Sequence, residues 1–155
     1  MKNKIDNQDQ KIDENKLGNN LEDFTLWKES RKLMNVLTRA IKDEGEFSKY
    51  FRNTIPSMAE SIFIHSAEIF EFMKNNKTSV AMNIIDGGIK DLAALRTLIY
   101  IYFDRGRLEV DYFSEIILQL SKVRKEFECL RKIQNDILNL SIDNPDEIDL
   151  KKIFH

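Results

Sequence analysis

The sequence predicts an all-α protein, an antiparallel four-helix bundle. Four amphipathic segments occupy Glu22 to about Asn139, split by three short polar breaks, and short connections join antiparallel neighbours. Within each segment apolar residues recur at three- and four-residue steps, the period of one helix face. Only five Gly and two Pro occur among 155 residues. With abundant Leu, Ile, Lys and Glu, that favours helices over sheet.

Residues 1–20 hold four Lys, four acidic residues, five Asn and two Gln. So little apolar content does not repay the entropy of ordering, and a flexible tail is expected, with a short amphipathic turn around Ile12 as its competitor. The first helix is expected from about Leu21 to Lys42, with Trp27, Leu33, Met34, Leu37 and Ile41 inward. Asp43-Glu-Gly-Glu46 ends it, with Gly45 near the C-terminal position.

The second helix spans about Phe47 to Lys74, with Phe51, Ile55, Met58, Ile62, Ile69 and Phe72 inward. Pro56 removes one backbone donor and predicts a kink or a restart, capped by Asn53 or Thr54 ahead of Ser57. After Lys74-Asn-Asn-Lys-Thr78, a third helix capped by Thr78 or Ser79 runs to about Phe103. Its inward face holds Ala81, Ile84, Ile85, Gly88, Leu92 and Leu95, then Leu98, Ile99 and Tyr102. Gly87 and Gly88 each cost ~1 kcal/mol against Ala, which predicts either close approach to another helix or a local kink. Asp104-Arg-Gly-Arg107 is the third break. The fourth helix then runs from about Glu109 to Asn139 through Phe113, Ile116, Ile117, Leu120, Val123, Phe127, Leu130 and Ile137. The expected organisation is therefore a tail over 1–20, a bundle over 21–140 and an extension over 141–155, with a short terminal helix from Pro145 to Phe154.

Hydrophobic residues make up 42% and charged residues 32%, the balance of a soluble globular domain. The formal net charge of -2 and a pI near 5.8 argue against a strongly basic nucleic-acid binder, although a local patch can sit within a neutral total. No apolar run reaches the ~18 residues of a membrane span, and the N-terminus lacks an apolar signal core. Cys129 is the sole cysteine, so no intramolecular disulfide forms. A cytoplasmic protein with no membrane contact is expected.

Chemistry is sparse. His65 and His155 are the only histidines, no Glu-x-x-His pair of a di-iron bundle occurs, and no metal or cofactor is expected. Cys129 reads as a small buried hydrophobe. Asp86-Gly-Gly88 lacks the Lys-Ser/Thr of a phosphate loop. Neither histidine follows an arginine at the spacing of HEPN-class helical ribonucleases. The expected protein is not an enzyme.

Charge placement is more informative. Lys122, Arg124, Lys125, Arg131 and Lys132 place five cations within eleven residues of the last helix. Helical spacing puts Lys122, Lys125 and Lys132 on one face, and Arg124 and Arg131 on another. The stretch is either a phosphate-contacting surface or a solvated face moderated by Glu126 and Glu128. Arg96 lies beside the apolar stripe of the third helix, and Asp91 or Glu60 is its expected partner unless it lines a subunit interface.

Several short motifs, in order, resemble one superfamily. Phe24-Thr-Leu-Trp27, Phe47-Ser-Lys-Tyr-Phe-Arg52, Ile55-Pro-Ser-Met-Ala-Glu60, Asp86-Gly-Gly-Ile-Lys-Asp-Leu92 and Leu95-Arg96 carry the likeness, over about residues 22 to 134. They are similar to the four-helix-bundle proteins encoded in intervening sequences of bacterial ribosomal RNA genes, and to the accessory variability determinants of diversity-generating retroelements. Ser48 stands where the retroelement group has proline. Arg124 is similar to a basic position in that group's fourth helix. The resemblance implies a homopentameric ring and, for the retroelement group, a basic surface that binds a reverse transcriptase and its template RNA without catalysis. Arg52, Arg96 and Arg124, with the Lys122–Lys132 cluster, are the implied contact residues. The chain departs from that group in charge: residues 21–140 hold 18 Lys plus Arg and 18 Asp plus Glu. Tyr100 stands near the place of a second arginine, and no Gly-Gly-Trp follows the fourth helix's basic position. The competing reading is a stand-alone helical adaptor with no nucleic-acid role.

Overall fold

The computed structural model describes residues 20–41 and 45–143, with side chains over 20–41 and 49–140. A 3-10 turn, Leu21–Asp23, precedes four helices: α1 (Thr25–Ala40), α2 (Gly45–Lys74), α3 (Thr78–Asp104) and α4 (Val110–Asp143). Each packs on its chain neighbours, and α1 also packs on α4, closing an up-down-up-down bundle. The expectations for 1–19 and for the Pro145–Phe154 helix lie outside the described residues.

The entry to α1 differs from the expected continuous helix. Asn20 caps the 3-10 turn through its side chain, which accepts from the Asp23 amide at 3.1 Å. Phe24 then adopts an extended backbone, so α1 starts afresh. The reason is packing: Phe24 is 1% exposed and its ring lies 5.5 Å from that of Phe70. The buried stripe of α1 is Leu26, Ser30, Leu33, Val36, Leu37 and Ala40. Trp27, Met34 and Ile41 sit at its margin, half-buried. Gly45 opens α2 rather than closing α1.

Pro56 causes no restart. Helix α2 runs unbroken through it, and Asn53, Thr54 and Ser57 are interior helical positions. Phe51 and Ile55 before the proline, and Ala59 and Ile62 after it, are all buried. Packing on both sides therefore holds the helix together despite the lost donor.

The α2–α3 and α3–α4 turns use the same device. In each, a residue with positive φ follows the helix, Asn76 at 57° and Gly106 at 69°. The Asn76 amide bonds the Met73 carbonyl and the Lys77 amide bonds that of Phe72, at 3.1 and 2.8 Å. The Gly106 and Arg107 amides repeat this on Phe103 and Tyr102, at 2.9 and 3.1 Å. Both are Schellman closures, which satisfy the last carbonyls of a helix. Lys77, not Thr78 or Ser79, is therefore the N-cap of α3, and its side chain makes no capping bond.

The inward faces of α3 and α4 follow the predicted period. Ala81, Ile85, Gly88, Leu92, Leu95, Ile99 and Tyr102 are buried on α3, and Ile116, Leu120, Val123, Phe127 and Leu130 on α4. The two glycines part company. A Cβ built on Gly88 would lie 2.5 Å from Cε1 of Phe127, whereas one on Gly87 would meet nothing within 4 Å. Close approach to α4 accounts for Gly88; Gly87 faces away from that contact.

Candidate partner-binding surface

All five cations of the α4 cluster are exposed, but they divide into two chemically distinct rows. Arg124 Nε donates to Glu128 Oε1 at 2.9 Å, one turn along the same helix. Arg131 Nε lies 3.3 Å from Asp86 Oδ1 of α3. The arginine row is thus neutralised by the protein's own carboxylates. Among the described residues, Lys122, Lys125 and Lys132 have no carboxylate within ion-pair distance. The row moderated through ion pairs is the arginine row, and the lysine row keeps its charge.

Helix α1 adds further cations, two of them paired at the groove with Glu29 and Glu115. Four of its five charged residues are cations: Lys28, Arg31, Lys32 and Arg39, against Glu29 alone. Arg31 lies over the Trp27 ring at 5.5 Å, and Arg39 reaches Glu115 of α4 at 3.3 Å. An open groove of about 620 Å³ runs between the two helices, lined by Lys32, Asn35, Val36, Thr38, Arg39, Glu115 and Gln119. Lys32 and Arg39 escaped the sequence reading because only the α1–α4 contact brings them to this groove.

Glu29 and Gln119 anchor this surface. The buried Gln119 amide donates to the Glu29 backbone carbonyl at 2.9 Å and to its carboxylate at 2.7 Å. Lys32 Nζ donates to the same carboxylate at 3.0 Å. Burial raises the carboxyl pKa of Glu29, but the bonds from Gln119 and Lys32 and the charges of Lys32 and Lys122 outweigh it, so the net pKa lies below its usual 4.5.

The remaining candidates lie elsewhere. Arg52 is half-buried on α2, the helix diagonal to α4. Arg96 is exposed on α3 and corrects an expectation. It pairs with neither Asp91 nor Glu60; its guanidinium sits over the Tyr100 ring at 5.7 Å. Tyr100 in turn meets Phe113 edge-on at 5.2 Å, and Phe113 stacks on Phe103 at 4.0 Å. One helical turn thus supplies an aromatic partner where a carboxylate was expected. The candidate cations are therefore spread over three helices, and Arg52 and Arg96 do not join the α4 rows.

His65 bridges α2 and α3. Its Nε2 lies 3.3 Å from Ser61 Oγ and 3.7 Å from Asp91 Oδ2, while Nδ1 lies 3.8 Å from Glu68 Oε2. Among the described residues no three His, Cys, Asp or Glu side chains converge as a metal set. No described helix is long and apolar enough to cross a membrane. No known protein family, curated protein or solved structure matches the chain.

Proposed function

We propose that this chain is a non-enzymatic, oligomeric four-helix-bundle accessory protein that scaffolds a partner, a reverse transcriptase together with its RNA. The observation supporting this reading is the lysine row of α4. Lys122, Lys125 and Lys132 stand on a rigid helix, exposed and with no carboxylate within ion-pair distance among the described residues, the charge of Lys122 acting on Glu29 at longer range. Such a surface suits a phosphate backbone, whose binding weakens steeply with salt. The motif resemblance supplies the choice of partner.

The test has two stages. Light scattering during size-exclusion chromatography gives the native mass, and a monomer removes the oligomeric part of the proposal. RNA binding is then compared between the native protein and K122E/K125E/K132E, with circular dichroism as the control for folding. Binding is expected to disappear with helicity intact. Unchanged affinity would remove RNA from the proposal.

A second reading is a protein-only adaptor with no nucleic-acid role. The pairs Arg124–Glu128 and Arg131–Asp86 favour it, because they spend two of the five clustered cations within the bundle. It predicts salt-insensitive partner binding and no co-purifying RNA.

A further inference from the structure

Helix α3 carries a second apolar line that the bundle covers only in part. Val80, Gly87, Ala94 and Ile101 recur at intervals of seven, the repeat that keeps one seam facing a partner helix. Val80 is 42% exposed, Ala94 is exposed, and Gly87 and Ile101 are half-buried. Ile64, beside His65 on the adjoining α2, is 50% exposed. Charge is scarce along this helix. It has five Lys, Arg, Asp and Glu among its 27 residues, whereas α4 has eleven among 34.

We propose that this line is the contact with a second copy of the chain, α3 lying antiparallel on α3 about a two-fold axis between Lys90 and Asp91. The inference rests on the oligomeric reading above and adds to it a two-fold contact that a five-membered ring alone does not contain. This register alone pairs all four positions of the line. Val80 meets Ile101 of the second copy, Gly87 meets its Ala94, and Lys90 meets its Asp91, each contact occurring twice as a two-fold interface requires. The apolar pairs flank the axis on both sides, and the small pair lets the backbones approach.

Charge complementarity selects the second copy as the occupant. Lys90 is exposed, and among the described residues no carboxylate lies within ion-pair distance of it. Asp91 is 41% exposed and, among the described residues, has His65 alone within ion-pair distance, at 3.7 Å. Adjacent opposite charges on one helix cannot satisfy each other across a turn, but antiparallel pairing joins them crosswise. The interface also accounts for Gly87. That glycine weakens α3 without relieving any contact inside the chain, since a Cβ there meets nothing within 4 Å.

Gly87→Leu tests the interface without disturbing the bundle, because the added side chain enters open space and leucine favours helix over glycine. The native full chain is expected to scatter as an even multiple of the subunit mass, and G87L at half that multiple with unchanged helicity. Lys90→Asp or Asp91→Lys alone is expected to raise the dissociation constant about tenfold or more. K90D/D91K, which restores opposite charges across the axis, is expected to recover most of the loss. An oligomer of unchanged mass in G87L overturns this interface and leaves the oligomeric reading standing. A monomeric native protein overturns both.

Discussion

At Gln119 helix α4 meets α1 through buried polar bonds, and at Phe127 it meets α3 through bare apolar contact. On the α1 side, Gln119 holds Glu29 twice and Glu115 reaches Arg39. On the α3 side, the Phe127 ring lies against Gly88 with no room for a methyl group. Polar bonds exchange for water bonds on unfolding and add little net stability, whereas close packing is lost outright. One helix thus carries a contact that sets register and another that supplies adhesion.

That contrast fixes an order of mutational effects. Phe127→Ala empties the α3–α4 contact and is expected to cost about 3–5 kcal/mol in urea denaturation. Gly88→Ala forces a methyl group into the fully buried ring and is expected to cost about 1–3 kcal/mol. An equal cost at Gly87→Ala in the monomer would break the distinction between the two glycines.

Gln119→Ala, on the polar side, is expected to cost about 1–2 kcal/mol and to raise the Glu29 pKa towards its usual value. The pH dependence sharpens the same point. A carboxyl whose folded pKa is lowered contributes stability that is full above its usual 4.5 and is lost as pH falls through the folded value. Carboxyl titration followed by NMR should show Glu29 moving upward in the variant; an unmoved titration would mean that Gln119 does not hold the carboxylate. Arg39→Ala is expected to change stability by less than about 0.5 kcal/mol, because both partners are largely solvated.

The four helices and the α3 core line were legible because apolar residues on a helix face repeat with its period. Helix α1 was read less well. Its inward stripe includes the polar Ser30 and the small Ala40, while the conspicuous Trp27 and Met34 sit at its margin. Hydrophobic weight alone therefore misplaced the face by part of a turn. The tertiary pairings were not legible at all. Asp86 and Arg131 are 45 positions apart in the chain, and nothing in either segment names the other. Arg96 could be recognised as an arginine needing a partner, but the spacing to Tyr100 competes with every nearby carboxylate. The lysine and arginine rows of α4 were separable by period, whereas their different fates required the position of α3.

The tight seat of Phe127 has a kinetic consequence. Its side chain is wholly buried, with ring atoms 2.5 and 2.6 Å from where a Cβ on Gly88 would be. Half-rotation of the ring sweeps its edge through the gap between α3 and α4, so the two helices must part transiently each time it turns. The flip rate, read from aromatic line shapes, would therefore serve as an internal clock for the breathing of this half of the bundle.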